Sequence, residues 1–194
     1  NLNEELVQKY KSNILTCTRQ FSYSTQNHNT IDIVLSLNGI PVVAMELKNQ
    51  LTGQSIENAK HQFMYDRDEK ELCFRFNQRF LVYFCVDLYE VAMTTELKGK
   101  NTRFLPFNQG SNGAGKVGDG GNPRLYDGYS SSYLWEYVLS PKMLLSILQR
   151  YISKQTKESV SLVNGKKVTN KKTILIFPRY HQLDVVRKLI SDVK

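Results

Sequence analysis

Cysteine is scarce in this sequence and shows no paired spacing: Cys17, Cys73 and Cys85 are an odd set with apolar neighbours and no CxxC pair. That usage speaks against a disulfide framework and for reduced thiols, expected as small core hydrophobes of a cytoplasmic protein. Long apolar runs are missing too, so no segment is a candidate bilayer span, and no basic and apolar leader opens the chain. Histidine is limited to His28, His61 and His181, far apart in sequence and expected at the surface or as caps rather than as ligands. The first residue is Asn1 rather than Met, expected to be a boundary or a processing point.

What is present suffices for a core. Hydrophobic residues make up 41% of the 194, which suits one domain, or one domain plus a piece of another, and argues against disorder. The net charge of +8 is lopsided: residues 142–194 hold twelve Lys/Arg and three Asp/Glu, a net +9, whereas the first 141 residues hold fourteen and fifteen. Such a block can track phosphates, because each Lys or Arg placed on a nucleic-acid backbone releases condensed counterions. Lys166, Lys167, Lys171 and Lys172, around Gly165 and Asn170, read equally as a solvated surface.

Periodicity predicts a helix over 2–12 with Leu2, Leu6 and Val7 or Tyr10 on one face, then β-rich sequence from Ile14. A hairpin spans Ile31 to Gln50. After Gly53 and Ser55, "IENAKHQFMYDRDEK" places Ile56, Ala59, Phe63 and Met64 at helical spacing, with Asn58, Gln62, Tyr65 and Glu69 on the other side. Two strands, "RFLVYFCVD" and "YEVAMTTEL", are expected around a turn at Asp87 and Leu88. Residues 99–132, rich in Gly, Asn and Ser, read as surface loop. A helix starting at Pro141, then a strand, a turn at Pro178 and a second helix complete an α/β (α+β) domain with a mixed sheet.

The hairpin "IDIVLSLNGIPVVAMELKNQ" sets acids and a lysine in otherwise apolar strands. Alternation puts Glu46 and Lys48 on one face and Val43, Met45 and Leu47 on the other. A two-residue turn at Asn38-Gly39 pairs Leu37 with Ile40 and leaves Asp32 opposite Met45, on the wrong face. A longer loop or a bulge shifts the pairing and sets Asp32 against Ala44 or Glu46. A site here requires the shifted register. Two carboxylates converging in an apolar strand pair need a cation, and oxygen ligands without His or Cys nearby select Mg²⁺ or Mn²⁺. A lysine beside that ion can steer and help deprotonate a water or stabilise charge on a phosphate, a set suited to phosphodiester hydrolysis. The bland alternative is a solvent-facing, salt-bridged edge.

The hairpin and the helix after it, "IDIVLSLNGIPVVAMELKN" and "TGQSIENAKHQFMYDRD", resemble the N-terminal nuclease domain of the HsdR subunit of type I restriction enzymes, with a D…ExK core and a RecB-like Q-x-x-Y. The resemblance continues through "YEVAMTTELKGKNTRFLPFNQG" and "YLWEYVL". It implies a restriction-endonuclease-like PD-(D/E)xK fold, a mixed sheet flanked by helices. It also implies Mg²⁺ (or Mn²⁺) on Asp32, Glu46 and the Leu47 carbonyl, Lys48 serving the attacking water, and Gln62 and Tyr65 orienting Lys48 or touching the DNA backbone. Thr30 and Ile31 stand where members often carry Arg or Pro, and Glu4 or Glu5 could fill the place of an assisting first-helix acid. Partners implied are double-stranded DNA and the methyltransferase and specificity subunits of a type I complex, with no membrane. The same resemblance divides the chain into a nuclease domain (1–152), a basic linker (153–178) and the start of an ATP-driven motor (179–194), where Arg179 and Gln182 would help hold the adenine of ATP. Cutting would follow translocation by that motor. A catalytically silent DNA-binding or docking domain is the rival reading.

"GSNGAGKV" nearly matches a phosphate-binding loop, but Val117 stands at the hydroxyl position and "GDGGNPRLYDG" cannot begin a helix, so flexible loop is expected.

Overall fold

The computed structural model describes residues 3–163 and 166–193, so Leu2 and Gly165 lie outside the described residues. The first helix, α1 (Glu4–Lys11), is capped by Asn3, whose side chain accepts from the Glu5 amide at 3.0 Å. It buries none of its residues. Strands β1 (Leu15–Ser22), β2 (Thr30–Leu37) and β3 (Ile40–Leu47) run antiparallel. β4 (Val82–Val86) then pairs parallel to β3, and β5 (Val91–Thr94) and β6 (Leu105–Pro106) follow antiparallel, giving a six-stranded sheet in chain order.

The parallel step needs a crossover, and α2 (Ile56–Tyr65) is part of it. Its start is specified locally: Ser55 accepts from the Glu57 amide and the Asn58 side chain accepts from the Ser55 amide, a reciprocal cap. The helix ends at Tyr65, so Glu69, expected on its polar side, lies beyond it. Ile56, Ala59 and Phe63 pack with Ala44, Tyr83 and Cys85 on one face of the sheet. The alternate residues Val43, Met45, Val82, Phe84 and Met93 face a second core built from Phe107, Leu134 and α3 (Pro141–Arg150). Phe177, Tyr180 and Leu183, the last two from α4 (Tyr180–Asp192), also belong to that second core. The result is a mixed sheet between helical layers, as expected from the element order.

Two segments differ in detail from the sequence expectation. Residues 99–132 are not all surface loop: β6 lies within them, Phe107 is fully buried, and Asn108 and Asn122 bind backbone groups of β5 and the β4–β5 turn. The short apolar stretch Phe104–Phe107 supplies what the surrounding Gly/Asn/Ser composition conceals. "YLWEYVL" contains a π-helical turn over Leu134–Val138, with Leu134 and Val138 buried. The stretch expected as a basic linker carries two long strands, β7 (Ser153–Val163) and β8 (Lys166–Ile176), paired in a separate sheet. No helix among the described residues is long and apolar enough to cross a membrane.

Candidate functional site

The β2–β3 register decides whether the acids meet. Asn38 and Gly39 both take positive φ (51° and 81°), as a two-residue I′ turn demands, and Leu37 pairs with Ile40. Continued unchanged, that pairing would set Asp32 against Met45. The register instead shifts between Leu35 and Ser36: Ser36 pairs with Pro41 but Leu35 with Val43, so Val42 is the extra residue of a bulge. From there Ile33 faces Met45, the last pair of the ladder, and Asp32 beyond it comes near enough to Glu46 for its charge to act on that carboxyl. Both expected alternatives hold at once, the tight turn at the tip and the shifted pairing at the acids.

Glu46 is fully buried at the end of β3. Its Oε1 accepts from Arg67 Nη2 at 2.7 Å, while among the described residues its Oε2 has no hydrogen-bond partner. Burial, followed by the nearby Asp32 charge, pushes its carboxyl up to about 7 against the pull of Arg67. Arg67 leaves the turn after α2, also donates through Nη2 to the Thr30 carbonyl at 2.7 Å, and lies over the Tyr23 ring. Asp32 is half-buried, and its Oδ2 accepts from the Leu47 amide at 2.8 Å and its Oδ1 from Gln20 Nε2 at 3.1 Å. Gln20 in turn accepts from the Thr30 hydroxyl at 2.6 Å.

Lys48 stands one residue past β3 on the Glu46 side, and its ammonium donates to Gln62 Oε1 of α2 at 2.6 Å. Tyr65, one turn on, is exposed, with the His61 ring tilted against its own at a centroid distance of 4.4 Å. His28, Thr30, Gln62, Tyr65 and Arg67 edge a polar depression of about 660 Å³ beside the carboxylates. On the sheet's other face Ile33, Met45, Leu47 and Trp135 line an apolar groove of about 630 Å³ that also reaches Lys48. Asp32, Glu46, Lys48, Gln62 and Tyr65 are therefore neighbours, gathered at one end of β2, β3 and α2.

Three further residues support this group and escape a reading by spacing. Arg67 lies in the charged run "DRDE" after the helix, where solvation is the default expectation. Gln20 sits opposite Asp32 at a left-handed φ of 49° inside β1, which turns its side chain onto the carboxylate. Asp87 is buried at the end of β4 and accepts from the amides of Ile56, Tyr89 and Glu90 and from Gln50 Nε2. It fixes the start of α2 to the end of the sheet, and an acid closing an apolar strand was its only signal.

Other candidates lie apart. Arg179 and Gln182 are exposed in the first turn of α4, where Gln182 Oε1 accepts from the Arg179 amide at 2.8 Å. Gly110 to Val117 form a looped-back segment, closed by Gly110 N to Gly121 O and Ser111 N to Asp119 O, with no helix after it. Glu4 and Glu5 sit on the exposed first turn of α1. His181 is exposed on α4. Cys73 and Cys85 are buried and Cys17 is exposed.

Asp32 and Glu46 fit a hard divalent cation in donor type and in the unpartnered, buried Oε2 of Glu46. Among the described residues no group of three or more His, Cys, Asp or Glu is gathered for one, so backbone or solvent oxygen would complete the set.

A mixed sheet that brings two carboxylates and a helix-held lysine to one end defines a D…ExK-type α/β domain. The family model of the type I restriction enzyme R protein N terminus matches residues 6–102, half of the chain, and the chain belongs to that family. No curated protein and no solved structure matches it.

Proposed function

We propose that this chain is a Mg²⁺-dependent endonuclease domain that hydrolyses phosphodiester bonds of double-stranded DNA. The observation that carries the reading is the bulge at Val42, which brings Asp32 to the side of Glu46, where Lys48 is held by Gln62. Asp32, Glu46 and the Leu47 carbonyl would hold the ion. When bound, it supplies Lewis acidity to a phosphate oxygen and to water. Lys48, kept in place by Gln62, presents an ammonium to charge growing on the phosphate or to the attacking water. Tyr65 and His61 offer a polar aromatic edge to the DNA backbone beside it.

In the parent enzyme this domain would cut after ATP-driven translocation by an adjoining motor, working with methyltransferase and specificity subunits. Arg179 and Gln182 would meet adenine only once that motor is assembled on α4. The second reading, a catalytically silent DNA-binding or docking domain, is favoured by Arg67, which gives Glu46 a cation without any metal.

Mn²⁺ titration calorimetry of the chain and of Asp32→Ala and Glu46→Ala, alongside nicking of supercoiled plasmid, separates the two. Binding and nicking that vanish in both variants support the nuclease. A parent that binds Mn²⁺ no better than its variants supports the silent domain.

A further inference from the structure

The β7–β8 sheet has no part in the site above. Its strands pair with each other over eleven residues, and among the described residues no helix or other strand packs along them. Its base is tied to the body: Leu175 and Phe177 are buried, and the Leu175 carbonyl accepts from the Thr95 hydroxyl at 2.9 Å. Residues 153–160 and 169–172 are exposed, Val160 among them at 64%. At about 3.3 Å per residue such a ribbon reaches roughly 35 Å. A two-stranded ribbon with no core beneath it is marginal in water, so one this long is stabilised by what it meets.

Its charge indicates what that is. Residues 153–176 contain six lysines and a single acid, Glu158. Glu158 is engaged by Lys171 across the strands at 2.7 Å. On the opposite face the register sets Lys157 directly against Lys172. Like charges opposed across a strand pair destabilise it unless an anion lies between them. A polyanion with regularly spaced charge fits both this pair and the ribbon's length, and the major groove of a DNA duplex admits a two-stranded ribbon.

We propose that the β7–β8 ribbon is an arm that binds the phosphate backbone of duplex DNA, with Lys157 and Lys172 as a phosphate-contacting pair. The proposal rests on the DNA reading above but not on the carboxylates. It is tested by fluorescence anisotropy of a short labelled duplex with the 194-residue chain in EDTA across a salt series, where no cleavage is read. The Lys157→Gln/Lys172→Gln variant should flatten the slope of log K against log salt by about 2, so that the loss of affinity between 50 and 200 mM salt shrinks by about tenfold. Lys157→Arg/Lys172→Arg should bind as the parent does, and matched thermal unfolding of the three proteins keeps folding out of the comparison. Equal slopes and affinities for the Gln variant and the parent would assign the ribbon to a protein neighbour and overturn the proposal, as would a parent that does not bind duplex. Because metal is absent, a failed carboxylate site leaves this outcome unaffected.

Discussion

Arg67 Nη2 lies 2.7 Å from Glu46 Oε1, and the two side chains are 3% and 0% exposed. The turn that ends α2 thus returns a guanidinium to the acid at the end of β3, and the crossover helix is locked to the strand it leaves. A buried pair of this kind contributes little net stability against an apolar replacement, yet breaking it strands a charge. Arg67→Leu should cost about 3–5 kcal/mol in urea unfolding. Glu46→Gln/Arg67→Leu should recover much of that loss. A cost below about 1 kcal/mol for the single variant would show that solvent already satisfies Glu46.

Glu46 also makes stability depend on pH. Its carboxyl is raised from 4.5 to about 7 in the folded chain, so between those values the folded state holds a proton that the unfolded state has lost. The resulting stabilisation is present below pH 4.5 and is lost as pH rises through 7. Denaturation midpoints from pH 5 to 8 should therefore fall for the parent relative to Glu46→Gln, and a pH-independent difference between the two would refute the shift. In the nuclease reading the same proton competes with a divalent cation, so Mn²⁺ affinity should rise over this interval.

Lys48 and Gln62 meet at 2.6 Å. Gln62→Ala leaves both carboxylates in place but releases the ammonium. In the nuclease reading, plasmid nicking should fall by about 10–100-fold while Mn²⁺ affinity stays at the parent value, and Gln62→Glu, which keeps an acceptor, should fall less. Equal loss of metal binding and nicking would mean that Gln62 supports the carboxylates instead.

Gln20 occupies a left-handed backbone position, which costs a residue with a Cβ about 1 kcal/mol. Both Gln20→Ala and Gln20→Gly lose the bond to Asp32, but glycine takes this φ without penalty. The Gly variant should be more stable than the Ala variant by about 1 kcal/mol in urea unfolding. Reversal of that order would place the strain elsewhere.

The elements with local causes were legible. Asn38-Gly39 offers a two-residue turn, Gly53 and Ser55 precede the start of α2, and the spacing of Ile56, Ala59 and Phe63 marks its buried face. The 99–132 stretch was obscured because a fully buried Phe107 sits among residues whose composition says loop. The apolar end of β8 before Pro178 was legible as a strand, but β7 was hidden because it carries lysines where a core-facing alternation would be expected.

Glu46 and Lys48 share a face because side chains alternate along any strand, and that much followed from the order of residues alone. The partnership of Asp32 with Glu46 did not, because two-residue turn chemistry predicts the other register and only packing against the rest of the sheet favours the bulge at Val42. Arg67 and Gln20 likewise reach the acids only through tertiary closure, from 21 and 12 positions away. Local order wrote the charges onto one face. The electrostatic need of a buried carboxylate was met by Arg67, a residue that only the tertiary structure brings round the crossover.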